Sequence, residues 1–337
     1  MNNPKLEKNY LPSISIVIPT LNSEPDISKF FASLNKQLYP KNRLEILAVD
    51  GGSTDNTVHV LKKYGVKVIN NPYRLAEPGI SLGMNKAKND LIMVLALDNF
   101  YNDKNALIAI AKVFDDDKIF AAFPKHDSES NYSIFSKYHN IFTDPFNHFV
   151  YGYAANARTF HHIYKTLESN SVYDLYDYLS NKTRPMIAFA QGFTIRKKYR
   201  RKSEDFFDDC KPIIDLIDSG KMIAYIHSIS VYHNTIRDLS HFIKKQRWAT
   251  QNAISKKDYG VLYRINKLTH YQQLRITFWP FYALSFIFPI FKSIYGLIQD
   301  KDPIWLFHPI ACWLSAYSSI SAIIHYNLTE KKYISRQ

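Results

Sequence analysis

Over residues 1–123 the chain alternates short apolar runs with stretches of helical period, and this rhythm limits the fold more than any other feature. The runs are 14–18 (ISIVI), 44–49, 66–69, 91–97 (LIMVLAL) and 119–123. Runs this short and mostly apolar, broken only by Ser15, Glu45 and Lys67, suit largely buried strands. Between them, Ile27, Phe30, Phe31 and Leu34 share one helical face, and Val58, Val60, Leu61 and Tyr64 carry the next helix. Pro78-Gly79 opens a third helix reaching Ala87, and a fourth covers 105–114. Strands that take turns with helices imply crossover connections, so the expected fold class is α/β, a doubly wound, mostly parallel sheet.

The second strand runs into AVDGGSTDNTV, residues 48–58. Asp50 ends the apolar run, Gly51 and Gly52 allow close backbone approach, and Ser53, Thr54 or Asp55 would cap a helix starting near Thr57. Asp98 ends the fourth run in the same way. Open α/β sheets bind ligands outside the carboxyl ends of their strands. Asp50 and Asp98 are therefore candidates for holding a nucleobase, a ribose or a metal–diphosphate, and the competing reading is an ordinary strand–turn–helix corner whose acid caps the helix. Asp55 reads as a cap or a loop-ordering residue.

Beyond Pro124 the rhythm stops. Residues 124–185 are rich in Tyr, Phe, His and Asn and are expected to form helices and loops over the sheet's carboxyl edge. Strand character returns at 187–193, with Gly192 inside it, followed by the cationic run 196–202 and the pair Glu204-Asp205. Residues 206–219 read as a helix ending at Gly220, and 222–232 as a strand ending at His233. Asp205 is also a possible N-cap for that helix.

Residues 276–298 hold one charge, Lys292, and residues 304–326 hold none from Asp, Glu, Lys or Arg. Each stretch would span roughly 34 Å as a helix, against a hydrocarbon core of about 30 Å. With the short join 299–303 they predict a helical membrane hairpin; buried core helices or an in-plane anchor are the alternatives. From 237 to 275 there are nine Lys/Arg against two Asp, and the tail is basic, which would put both ends on the cytoplasmic side. The chain as a whole carries a formal +13, so the expected partner is anionic: nucleotide, nucleic acid or lipid surface. The cations cluster beside the apolar tail and no nucleic-acid module is present, which argues against nucleic acid. The two cysteines, Cys210 and Cys312, suggest neither a disulfide framework nor a metal cluster.

The order Pro19-Thr20-Leu21-Asn22, then VDGGSTDNT, then a helix with Gly83 and Ala87, then Leu97-Asp98, Gly192 and Glu204-Asp205 resembles the family-2 glycosyltransferases of GT-A fold, over about 13–234. The resemblance implies a nucleotide-sugar donor, UDP-linked, with Pro19, Thr20, Asn22 and Asp50 around the base and ribose. It places Gly79, Gly192 and Asp98 along the donor. It also implies a divalent cation, Mn²⁺ or Mg²⁺, held by Asp98 and His233, and a catalytic pair Glu204 and Asp205, with Asp205 as general base of an inverting transfer. The chain departs from the pattern twice. Phe100 stands where a second acid is usual, with Asn99 or Asp103 as stand-ins, and Ser81-Leu82 replaces an Arg-Asn before Gly83. Arg247-Trp248 partly matches an element of processive polysaccharide synthases, which makes Arg247 a donor-binding candidate; a juxtamembrane helix with an interfacial Trp is the structural alternative.

The expected organisation is an extension (1–12), a nucleotide-sugar half (13–123), an acceptor and catalytic half (124–236), basic juxtamembrane helices (237–275), two transmembrane helices (276–326) and a basic tail (327–337). The expected partners are a nucleotide-sugar, a lipid-linked or surface-glycan acceptor and the membrane. Three alternatives stay open: a polyprenyl-phosphate acceptor, which needs no base; a non-catalytic nucleotide-binding membrane subunit, which Phe100 favours; and a nucleotidyltransferase, whose Gly- and Lys/Arg-rich first loop PTLNSEPD does not supply.

Overall fold

The computed structural model describes residues 11–199, 208–255 and 260–329. It separates into two units, one comprising Met1–His126, Lys165–Asp177 and Ala188–Tyr232, the other Asp127–Tyr164, Tyr178–Ile187 and His233–Gln337.

The first unit is built on a sheet of strands β1 (Ile14–Thr20), β2 (Leu44–Asp50), β3 (Lys67–Asn70), β4 (Leu91–Leu95), β5 (Asn99–Tyr101), β6 (Ile119–Asp127), β7 (Lys165–Ser169), β8 (Asp174–Asp177), β9 (Gln191–Arg196) and β10 (Met222–His233). Their order is β3-β2-β1-β4-β9-β6-β10-β8-β7, with β5 paired to β10. Pairing is parallel from β3 through β2 and β1 to β4, with Ile14 opposite Leu44 and Leu91. It is antiparallel where β9 meets β4 and β6, and along β10-β8-β7. The doubly wound half is thus present, and β9 and the β8–β7 pair add antiparallel neighbours to it. The later strands are not joined by successive βα crossovers, and antiparallel neighbours require none. The β7–β8 hairpin and β5 were not legible as strands: Lys165–Ser169 is mostly exposed and lacks an apolar run.

Helices α1 (Glu24–Lys36), α2 (Thr57–Lys63), α3 (Ala76–Lys86) and α4 (Ala106–Val113) follow the strands as expected, and α1 buries Ile27, Phe30, Phe31 and Leu34. Pro19 continues β1 rather than breaking it. The Thr20 carbonyl accepts from the Gly51 amide on the β2 side, so Pro19, one residue earlier, faces the β4 side, where the register ends at Val17. A missing N–H costs nothing there.

The second unit is helical: α5 (Ile134–Phe142), α6 (Pro145–Tyr151), α8 (Leu239–Ser255), α9 (Gly260–Tyr263), α10 (His270–Leu284), α11 (Ile287–Asp300) and α12 (His308–Thr329), with α7 (Lys211–Asp218) belonging to the first unit. Its core packs Tyr138 and Phe142 against Trp305, Phe307 and Ala311, and Trp279 and Ala283 against Cys312 and Ala316. The expected helix over 276–298 is broken. α10 and α11 meet at 95°, with Phe286 at φ 57 between them and Pro289 in the first turn of α11, where its missing N–H is harmless. Pro303–Thr329 remains long and apolar enough to cross a membrane, although half of its most apolar window is buried inside the protein.

Candidate functional site

The carboxyl ends of β1 and β2 are tied into one loop by side chains the sequence had singled out. Asp50 accepts from the amides of Gly52 and Ser53, both at 3.0 Å, and from Ser53 Oγ at 2.5 Å. Asn22, at φ 48, accepts from the Thr54 amide at 2.8 Å, and its own amide donates to Ser53 Oγ at 2.8 Å. Left-handed backbone is tolerated by Asn better than by most residues. Gly52, at φ 88, completes the turn. Asp55 takes the amides of Thr57 and Glu24; burial opposes its charge, but these hydrogen bonds outweigh it and hold the carboxyl below its usual range. The N-cap of α2 is Asn56, so Asp55 orders the loop from one residue before it, the second of its two expected roles.

Thr20 Oγ1 is buried at the end of β1 without a hydrogen-bond partner among the described residues. Such an atom suits a ligand contact. Sequence reasoning missed Arg74. It sits at φ 58 in the turn after β3, and its guanidinium lies over Gly52, within 3.5 Å of where a Cβ would be. The Asn71 turn sets it there: the Asn71 amide donates to the Asp50 carbonyl, and its side chain takes the Tyr73 amide and donates to the Leu75 carbonyl. The only sequence signal was a cation shortly after a strand end.

Two glycines expected along the donor are also closely packed here. A Cβ on Gly79 would meet Asn71 Nδ2 at 2.9 Å, and one on Gly192, at φ 88, would meet Tyr101 Oη at 2.5 Å. Gly192 lies at the register shift between β4 and β9.

Asp98 follows β4 and accepts from Asn99 Nδ2 at 2.8 Å, while the buried Asn99 Oδ1 has no partner among the described residues. Phe100 is a core residue of β5, stacked on Tyr232 at 5.8 Å with Lys29 Nζ 4.0 Å from its ring centroid. Asp103 takes the Asn105 amide ahead of α4. Among the described residues no three His, Cys, Asp or Glu side chains come together as a metal cluster. His233 falls in the second unit, buried, with His139 at 5.5 Å and its carbonyl accepting from Asn140. Arg247, also in that unit, donates from Nε to Ser321 Oγ at 2.9 Å and so joins α8 to α12. Glu204 and Asp205 lie outside the described residues. Just after them, Asp208 Oδ1 takes the amides of Cys210 and Lys211 at the start of α7, which begins at Lys211 rather than 206.

Residues 15–177 match the family described as Glycosyl transferase family 2. The chain is 30% identical over 103 residues to poly(ribitol-phosphate) beta-N-acetylglucosaminyltransferase TarS of Staphylococcus aureus, a stretch covering 29% of this chain and 18% of that one. It is 35% identical over 88 residues to a dolichyl N-acetyl-alpha-D-glucosaminyl phosphate 3-beta-D-2,3-diacetamido-2,3-dideoxy-beta-D-glucuronosyltransferase of Methanococcus voltae, covering 24% of this chain and 27% of that one. The chain therefore matches well under a third of the length of these relatives. In three dimensions the fold is similar to that of the mannosyltransferase PcManGT of Pyrobaculum calidifontis, solved with GDP-Man and Mn²⁺: TM-score 0.53, 12% identity, 96% of this chain and 89% of that one.

Proposed function

We propose that this chain, which carries a family-2 glycosyltransferase domain over residues 15–177, is an inverting glycosyltransferase that moves a sugar from a nucleotide-sugar, UDP-linked, to a lipid-linked or surface-glycan acceptor. It would work at a membrane, with the catalytic domain on the cytoplasmic side that its basic flank favours. One observation carries the reading: within the matched segment, Asp50, Ser53 and Asn22 lock the β1 and β2 ends into a preformed loop, with the Arg74 guanidinium over its glycine. A preformed polar loop with a cation at the carboxyl edge suits a nucleoside diphosphate.

In this reading Pro19, Thr20, Asn22 and the Asp50 loop hold the nucleoside, and Arg74 takes the diphosphate in place of the absent Arg before Gly83. Asp98 would hold the divalent cation, Mg²⁺ or Mn²⁺, which suits a carboxylate oxygen. When bound, that ion would neutralise the departing diphosphate. Asp205, with Glu204 beside it, takes the acceptor's hydroxyl proton as that oxygen attacks the anomeric carbon. The bond from that carbon to the diphosphate oxygen breaks, and its electron pair leaves with the nucleoside diphosphate.

A panel of nucleotide-sugars assayed with membrane lipid extract tests the proposal. Turnover should appear with one donor and fall at least about a hundredfold in Asp98→Ala; binding without turnover of any donor would make the chain a non-catalytic subunit. Asp205→Asn divides the acceptor classes, because a polyprenyl phosphate is already anionic and would leave that variant active.

A further inference from the structure

In the second unit α11 is amphipathic in the sense opposite to a helix in water. It buries Pro289, Ser293 and Gly296, the last so close to Trp305 that a Cβ would come within 2.2 Å of the indole. It exposes Phe288, Phe291, Ile294 and Ile298, and α10 likewise exposes Phe278 and Phe281; Phe281 and Ile298 are each 72% accessible. A surface helix normally turns its polar side outward. A continuous exposed apolar surface of this kind marks an interaction site.

We propose that the outward face of α10 and α11 is an in-plane docking surface for an anionic lipid leaflet, seated at the headgroup–acyl boundary with no helix crossing the bilayer. This rests on the membrane reading above and specifies its geometry. At 15 and 14 residues the two arms are about 22 and 21 Å long, each short of a hydrocarbon core of about 30 Å, and their 95° bend keeps them from forming one straight span.

α12 is long enough to cross, but α8 is fastened along it. Gln246 meets Ser315 at 3.1 Å, Arg247 meets Ser321 at 2.9 Å and Thr250 meets Ser319 at 2.9 Å. A crossing α12 would draw Lys244, Lys245 and Arg247 into hydrocarbon with it, which is costly. Kept at the interface, exposed Lys244 can reach headgroups.

Charge complementarity points to the anionic leaflet. Nine Lys/Arg against two Asp occupy 237–275. On α10, exposed Tyr271 stacks at 4.5 Å on Arg275, which donates to the Phe149 carbonyl; on α11, half-buried Lys292 lies between the exposed Tyr295 ring, at 5.4 Å, and the buried Trp305 ring, at 5.3 Å. Exposed tyrosines beside an apolar face suit headgroup depth.

The test is flotation of the full chain with phosphatidylcholine vesicles, with and without phosphatidylglycerol. Wild type should float with the anionic vesicles. Phe281→Glu combined with Phe291→Glu should cut the floated fraction about tenfold or more without moving the thermal midpoint. Ile298→Glu, a change at another exposed position, should weaken flotation on its own. Wild type that floats with neither vesicle would overturn the membrane reading itself. Flotation that survives the substitutions would overturn this surface alone, as would a lipid-free dimer that the same substitutions convert to monomer. In sealed vesicles with the cytoplasmic face inward, external protease should spare residues 299–301. Cleavage there would mean a spanning hairpin and would likewise overturn the in-plane geometry.

Discussion

Ser53 grips the Asp50 carboxylate twice, its hydroxyl on Oδ1 at 2.5 Å and its amide on Oδ2 at 3.0 Å. Asp50 is thereby committed first to the shape of the loop and only through that shape to a ligand. Asp50→Asn puts an amide donor opposite amide donors. It should cost about 1–3 kcal/mol of stability and raise the donor KM about tenfold with a smaller change in kcat. Ser53→Ala removes one hydroxyl and should cost roughly 0.5–1.5 kcal/mol. Urea unfolding and donor saturation curves measure both; equal effects of the two substitutions would contradict this order.

Phe100 invites an obvious repair, Phe100→Asp, to restore an acidic pair with Asp98. The packing predicts that the repair fails. The ring is 5% exposed, stacked on Tyr232, and Lys29 lies over it. Losing the ring should cost about 3–5 kcal/mol, and Lys29 would pair with the new carboxylate. The expected outcome is a lower thermal midpoint with no gain in Mn²⁺-stimulated turnover. A gain at wild-type stability would show that position 100 reaches the cation.

These two positions show what the sequence can and cannot carry. Asp50, Asn22 and Asp55 were legible because loop and cap chemistry is local: each bonds within a few residues or across one strand pair. The first four strands and α1 to α4 were legible for the same reason, through period. Phe100 was read as a defect in a ligand set because nothing local says it joins a strand pairing with β10. Arg74 was missed because its positive-φ turn, which no periodic pattern announces, aims it at Gly52. The tail was read as two straight helices because hydropathy reports length and composition, while the 95° break depends on Phe286 adopting positive φ.

Gly83 tests how closely α3 lies on the sheet. A Cβ there would fall 2.3 Å from Val17 Cγ1 and 2.9 Å from Val49 Cγ2, both fully or almost fully buried. Neither strand residue has room to yield, so helix propensity, which favours Ala, loses to overpacking. Gly83→Ala should destabilise by about 1–3 kcal/mol or more. Combining it with Val17→Ala should recover part of that loss. A variant as stable as wild type in urea would mean the helix can lift off the sheet at no cost.

The helical unit should be acid-sensitive through His308 and His148. His308 is buried between two phenols, Tyr138 Oη at 2.5 Å from Nδ1 and Tyr282 Oη at 3.1 Å from Nε2. Burial, helped by the charge of Lys292, pushes its pKa down to about 3. Burial, with His308, pushes His148 well below its usual value too. Both are therefore neutral when folded and titrate near 6.5 when unfolded. The stability they allow is intact above about pH 6.5. It falls as pH drops below that, approaching about 1.4 kcal/mol per pH unit for each group, because the unfolded chain binds the protons. Asp144, whose carboxyl burial pushes upward, works in the opposite sense, so the informative comparison is wild type against variant at each pH. His308→Gln keeps hydrogen-bonding atoms without a proton to gain. It should lower stability at pH 7.5 yet reduce the slope between pH 6 and 4.5 by about half of the two-histidine contribution. Urea midpoints across that range supply the measurement, and parallel curves for the two proteins would exclude His308 as a source of the acid sensitivity.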